Sequence, residues 1–139
     1  MYSSNATSLL GLIRANSVLA SVTGLALGGR GDDAGLVEVP VPFAWVTFIG
    51  DENTDPKKEG MVANPPTLLL KYAVIIGVPY TSEEDLLANQ YPLLRAVCLS
   101  INGVQTPTGS RWRYIGTRPP AINPDRQVFS QLYTTIASS

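Results

Sequence analysis

The stretch that most restricts the fold is Leu68 to Val78 (LLLKYAVIIGV), which is apolar at odd and even positions alike apart from Lys71. A strand with one wet face alternates apolar and polar side chains, so a β-branched and aromatic run of this kind needs cover on both faces. Phe43 to Gly50 (FAWVTFIG) has the same character, and the two runs read as the central strands of a sheet. The polar segment between them, Asp51 to Thr67, is far longer than the roughly two to five residues of a hairpin loop. It reads as a contact loop or a mobile one.

Helices flank this pair. In residues 9 to 27, Leu12, Ala15, Leu19, Val22 and Ala26 recur at helical spacing, with Arg14, Ser17 and Ser21 opposite, which predicts an amphipathic helix. Ser8 is placed to cap it, and Gly28-Gly29 to stop it. The polar interruptions, Thr23 among them, do not suit a membrane span, and the first thirteen residues lack the basic side chain of a secretory leader. A short extended piece, Leu36 to Val39, is closed by Pro40 and Pro42.

A second helix is predicted from Ser82, whose hydroxyl can cap the amide of Asp85, while Glu83, Glu84 and Asp85 place negative charge at the positive end of the dipole. Its core stripe reads Leu86, Leu87, Leu94, Val97, Cys98 and Ile101. Pro92 should kink the helix or split it after Gln90 or Tyr91, and Asn102-Gly103 should end it. Extended segments follow at Arg111 to Thr117 and Gln127 to Ile136, separated by the rigid R-P-P-A-I-N-P-D stretch. The order predicts an α+β fold: a mainly antiparallel sheet with two principal helices packed on one face. A length of 139 residues predicts one domain, 1–139.

Counting excludes much chemistry. The chain has no histidine and one cysteine, Cys98, which removes Ser-His-Asp triads, Cys-His dyads and the usual zinc sites together. A formal net charge of -1 with 15% charged residues lacks the basic field of a non-specific nucleic-acid binder. Low net charge favours association instead. No cofactor, no metal and no enzymatic activity are expected. The lone cysteine fits a reducing compartment.

Several motif-like words reduce to simpler readings. Gly29 to Gly35 (GRGDDAG) lacks phosphate-loop spacing and its lysine, and follows a helix where a strand is required. Its Arg30-Gly31-Asp32 tripeptide reads as incidental. Asp51-Glu52-Asn53-Thr54-Asp55 opens like a calcium loop, but Pro56 and Val62 occupy the positions that need glycine and glutamate. Cys98 sits on the helix stripe and reads as a small buried hydrophobe. In Arg111 to Arg118 (RWRYIGTR), alternation sends Trp112 and Tyr114 to one face and Arg111 and Arg113 to the other. The aromatics then read as core and the arginines as solvent or interface groups.

Taken in order, an N-terminal helix, the WVTF strand, a long polar loop, the LLLKYAVIIGV strand, the SEEDLL helix and the closing RWRYIG and VFSQLYTTIA strands resemble tail terminator (tail-completion) proteins of tailed bacteriophages, most of all the Mu-like branch. The resemblance covers nearly the whole chain. It implies a virion protein of the tail and neck, assembled in the host cytoplasm. Its copies would form a homohexameric ring that caps the tail tube, ends its polymerisation and meets the head-tail connector. The tail sheath is a further candidate contact, DNA passes through the ring without specific binding, and no membrane is involved.

A closed ring needs different patches to meet on neighbouring subunits. Candidate interface residues are Asp51, Glu52, Asp55, Lys57 and Lys58 in the polar loop, and Arg111, Arg113 and Arg118. Two other readings stay open: another neck or connector component, and a small enzyme using the carboxylates of Asp51, Glu52 and Asp55.

Overall fold

The computed structural model describes residues 2–15, 26–27, 41–54, 67–123 and 125–138, the side chains of 26, 27, 123 and 138 excepted. Helix α1 (Tyr2–Ala15) is followed by strands β1 (Ala26–Leu27), β2 (Phe43–Asn53) and β3 (Thr67–Pro79). A short helix α2 (Glu83–Asp85), a π turn (Leu86–Gln90) and helix α3 (Tyr91–Ile101) come next, then β4 (Arg113–Asn123) and β5 (Arg126–Ser138). The strands form one sheet in the order β1-β2-β3-β5-β4. Every pairing is antiparallel except that of β1 with β2.

The apolar run of β3 takes the centre, as its composition requires. It pairs with β5 in unbroken register from Thr67 opposite Ser138 to Pro79 opposite Arg126. Both helices pack on one face of this sheet. There Leu9 and Ile13 of α1, Val97 and Ile101 of α3, and Val46, Leu70, Tyr72, Val74, Ile76, Phe129 and Tyr133 of the strands form the main core with Trp112. Burying each of these large side chains contributes roughly 1.5–3 kcal/mol. The Tyr72 ring meets the edge of Trp112 at 5.3 Å. Tyr72 also donates a hydrogen bond from its hydroxyl to the Tyr2 carbonyl at 2.8 Å, and burial pushes this phenol up to about 12.

A buried polar relay ties α3 to β5. The Tyr133 hydroxyl donates to Gln131 Oε1 at 2.8 Å, and Gln131 Nε2 donates to the Leu94 carbonyl at 2.8 Å. Gln131 is buried, so these bonds satisfy groups that would otherwise lose their water without compensation. Burial raises the Tyr133 phenol and keeps it protonated as the donor.

The second helix follows its sequence signals closely. The Asp85 amide donates to Ser82 Oγ at 3.1 Å. The Tyr91 amide reaches back to the Leu86 carbonyl, a five-residue step, just before Pro92, whose ring cannot sit against the carbonyl four residues earlier in a regular α-helix. The helix ends at Asn102, followed by Gly103 at φ 84°, a left-handed conformation open to glycine. The buried stripe is narrower than predicted: Leu86, Leu93, Val97 and Ile101 are buried, Leu94 and Cys98 are half-buried, and Leu87 is exposed. Adjacent residues on a helix stand about 100° apart, so periodicity alone does not separate Leu86 from Leu87.

Three other expectations are corrected. Helix α1 begins before Ser8, which lies inside it rather than at its cap, and its inward face is Asn5, Leu9, Leu10 and Ile13. Of the expected stripe, Ala26 does not continue a helix but lies with Leu27 opposite Trp45 and Val46 in the sheet, while Leu19 and Val22 lie outside the described residues. The R-P-P-A-I-N stretch belongs to β4, which runs through Pro119 and Pro120 to Asn123. Proline is compatible with a strand here because β4 is an outer strand and the pairing shifts between Arg118 and Ala121. Leu36 to Val39, the Gly28-Gly29 stop and the Arg30-Gly31-Asp32 word lie outside the described residues.

Candidate functional site

The face of the sheet away from α1 and α3 has two unlike ends. At the first, Phe43, Ala73, Ile75 and Val128 form a small buried cluster, joined by the partly buried Trp45 and Leu132. The Phe43 ring lies so close over Gly77 that a Cβ there would overlap it. Glycine is needed at this place for close approach.

At the other end the apolar side chains are not covered. Ile49, Ile115 and Ile136 are 48%, 52% and 48% exposed. Two of them share an origin: β2 carries Phe48-Ile49-Gly50 and β4 carries Tyr114-Ile115-Gly116. In each strand the register skips the isoleucine, since Phe48 pairs with Tyr72 and Gly50 with Lys71, while Tyr114 pairs with Tyr133 and Gly116 with Leu132. An extra residue of this kind is a β-bulge, which re-aims a side chain. The aromatic before each bulge stays on the helix side, with Phe48 5.3 Å from Tyr72 and Tyr114 5.5 Å from Tyr133. The bulged isoleucines line a groove of about 330 Å³ across the other face, with Leu69, Lys71, Leu132 and Arg118.

The groove is rimmed by charge. Lys71 Nζ lies 2.7 Å from Glu52 Oε2, a surface pair of small stabilising value. Arg113 is opposite Thr134, which is opposite Lys71, so all three share the open face. Arg118 is opposite Ser130 on that face as well. Arg113 and Arg118 are exposed and make no ion pair among the described residues. The rim therefore carries two uncompensated positive charges.

The sequence-selected residues divide between several places. Glu52, Arg113 and Arg118 meet at this face. Asp51 is turned to the helix side, where Tyr2 donates its hydroxyl to Asp51 Oδ2 at 2.6 Å, a bond that raises the Tyr2 phenol. Arg111 lies just before β4 and donates to the Gly103 carbonyl at 2.7 Å, closing the connection from α3. Asp55, Lys57 and Lys58 lie outside the described residues. Asp51 and Glu52 belong to a strand rather than to the opening of a loop, and they engage different partners on opposite faces. They make no acid and base pair.

Cys98 is half-buried at the margin of the helix stripe; burial raises its thiol, against the opposing charge of Arg95. That shift favours the protonated thiol over the thiolate. Among the described residues, no group of three or more histidine, cysteine, aspartate and glutamate side chains could hold a metal ion, and no helix is long and apolar enough to cross a membrane.

Sequence reasoning missed Ile49, Ile115 and Ile136 as surface residues. For Ile49 and Ile115 the signal was present in the repeated aromatic-Ile-Gly word, in which glycine follows an apolar residue inside a strand.

No known family model matches the chain, and no curated protein matches it. Among solved structures, the fold is similar to a chain in the virion of a native gene transfer agent particle. The TM-score is 0.65 at 10% sequence identity, covering 99% of this chain and 96% of the other. At that identity the likeness is one of fold.

Proposed function

We propose that this chain is a structural protein of a tailed-phage-like virion, and within it a tail terminator. Copies form a hexameric ring on the last ring of the tail tube, stop its growth and present a docking face to the head-tail connector, with the sheath as a further contact. The observation that carries the reading is the end-to-end fold likeness to a chain of the gene transfer agent virion. The sequence-level order of helix, strands, helix and closing strands supports the terminator role in particular.

The open sheet face agrees with this role. Its exposed isoleucines and uncompensated arginines suit a surface that associates, and they supply no reacting groups. The ring needs no cofactor and no catalytic residue, and DNA passes through it without being bound specifically. Its place is the virion neck, after assembly in the host cytoplasm.

The test is tube growth. Purified tail-tube protein from the same virion is polymerised with and without the chain, and tube lengths are measured by electron microscopy. The expected result is shortened tubes with the chain at one end. Tubes of unchanged length, with the chain sedimenting apart from them, would overturn the terminator role and favour another neck component.

A further inference from the structure

We propose that copies of this chain join head to tail through one specific contact: Leu87 of one copy enters the isoleucine groove of the next, with its flanking Glu83 and Glu84 placed against Arg113 and Arg118. The inference deepens the assembly reading and rests on it.

The groove accepts an apolar side chain between Ile49 and Ile115; Arg118 lines it, Arg113 stands on the same face, and neither makes an ion pair among the described residues. The incoming segment must therefore combine an exposed apolar residue with uncompensated acid. Among the described residues three large apolar side chains stand out as two-thirds exposed or nearly so: Leu87 at 65%, Leu99 at 67% and Ile122 at 72%. Charge selects between them. Leu99 shares its helix face with Arg95, four residues earlier. Near Ile122 the acid is Asp125, already paired with Arg126 at 3.2 Å. Leu87 follows Glu83 and Glu84 by four and three residues, which places them on one helical face. Among the described residues the Glu83 carboxylate accepts from the Tyr80 hydroxyl at 3.5 Å, and neither Glu83 nor Glu84 makes an ion pair.

The two surfaces lie on opposite sides of the sheet, since Leu86 beside Leu87 packs in the helix-side core. A contact between different patches is heterologous; it closes into a ring where the rotation between copies divides a full turn, and runs on as a filament where it does not. Strand addition is a poor competitor at the β4 edge. That edge carries two register breaks, Pro119 and Pro120, and the exposed arginines, all of which blunt pairing with another strand.

Charge reversal tests the contact. One variant combines Arg113→Glu with Arg118→Glu, the other Glu83→Lys with Glu84→Lys, and native mass is measured against concentration at low salt. Each alone places like charges together and is expected to weaken self-association by about a hundredfold or more. Mixing the two restores it, because each reversed surface meets an oppositely charged one. A Leu87→Asn variant should weaken association by about tenfold. Far-UV circular dichroism checks the fold, and the milder Arg113→Gln with Arg118→Gln pair replaces a reversed variant that does not fold.

Unchanged association in both reversed variants, failure of the mixture to recover, or a wild type monomeric at every concentration would overturn the contact. The tube-growth assay separates this from the broader reading. Wild-type chain that assembles but leaves tubes uncapped sinks the terminator role and keeps the contact. Reversed variants that assemble and cap normally sink the contact and keep the role.

Discussion

The two faces of the β3–β5 pair are built from alternate residues of the same strands, yet they are finished differently. On the helix side Leu70, Tyr72, Val74, Ile76 and Tyr133 are buried under α1 and α3 with Trp112. On the other side the end around Phe43, Ile75 and Val128 is closed, while Ile49, Ile115 and Ile136 remain half-exposed. The uncovered face of a two-layer protein is ordinarily polar. The groove has Arg118 in its lining and Arg113 on the same face, neither in an ion pair among the described residues, and it is the surface that the proposed contact with another copy would cover.

The helix-side core depends most on Trp112, the largest fully buried side chain among the described residues. Trp112→Ala should cost about 3–5 kcal/mol in denaturant unfolding, and a loss below about 1 kcal/mol would mean that the helix-side core is not organised around it. At the closed end of the other face, Gly77→Val should cost about 1–3 kcal/mol by driving a side chain into the Phe43 ring. Combining Gly77→Val with Phe43→Ala should recover part of that loss. At the open end, Ile115→Thr and Ile136→Thr should change monomer stability by no more than about 0.5 kcal/mol, while self-association falls. A large stability loss there would place these isoleucines in the monomer core.

The smallest effect concerns acid. Asp85 accepts from Asn89 Nδ2 at 2.8 Å and Gln90 Nε2 at 3.1 Å, which holds its carboxyl below the ordinary range. A value lower in the folded than in the unfolded state means stabilisation that is complete above the ordinary carboxylate pKa. It is lost as pH falls through the folded value. The thermal midpoint of Asp85→Asn should therefore fall slightly less than that of the wild type between about pH 5 and pH 3, by differential scanning calorimetry.

What could be read from the sequence is what local chemistry decides. The Ser82 cap, the break before Pro92, the stop at Asn102-Gly103 and the two apolar strands all depend on neighbours in the chain. The missed features depend on contacts across it. Helix α1 turns the polar Asn5 inward because the sheet covers that side. Pro119 and Pro120 are tolerated in β4 because it lies at the edge, a fact the segment itself does not carry. Of the candidate site, Glu52, Arg113 and Arg118 were visible as charges beside strands. Ile49 and Ile115 were not, because an apolar residue in a strand reads as core until its partner's register reveals a bulge.

As proposed, this chain is one protomer of a self-associating ring at the end of a tail tube. Native mass spectrometry of the wild-type chain, alone and with tail-tube protein, tests it most directly. The expected result is a closed hexamer that binds tube ends. A stable dodecamer, or a chain that stays monomeric in the presence of tubes, would contradict it.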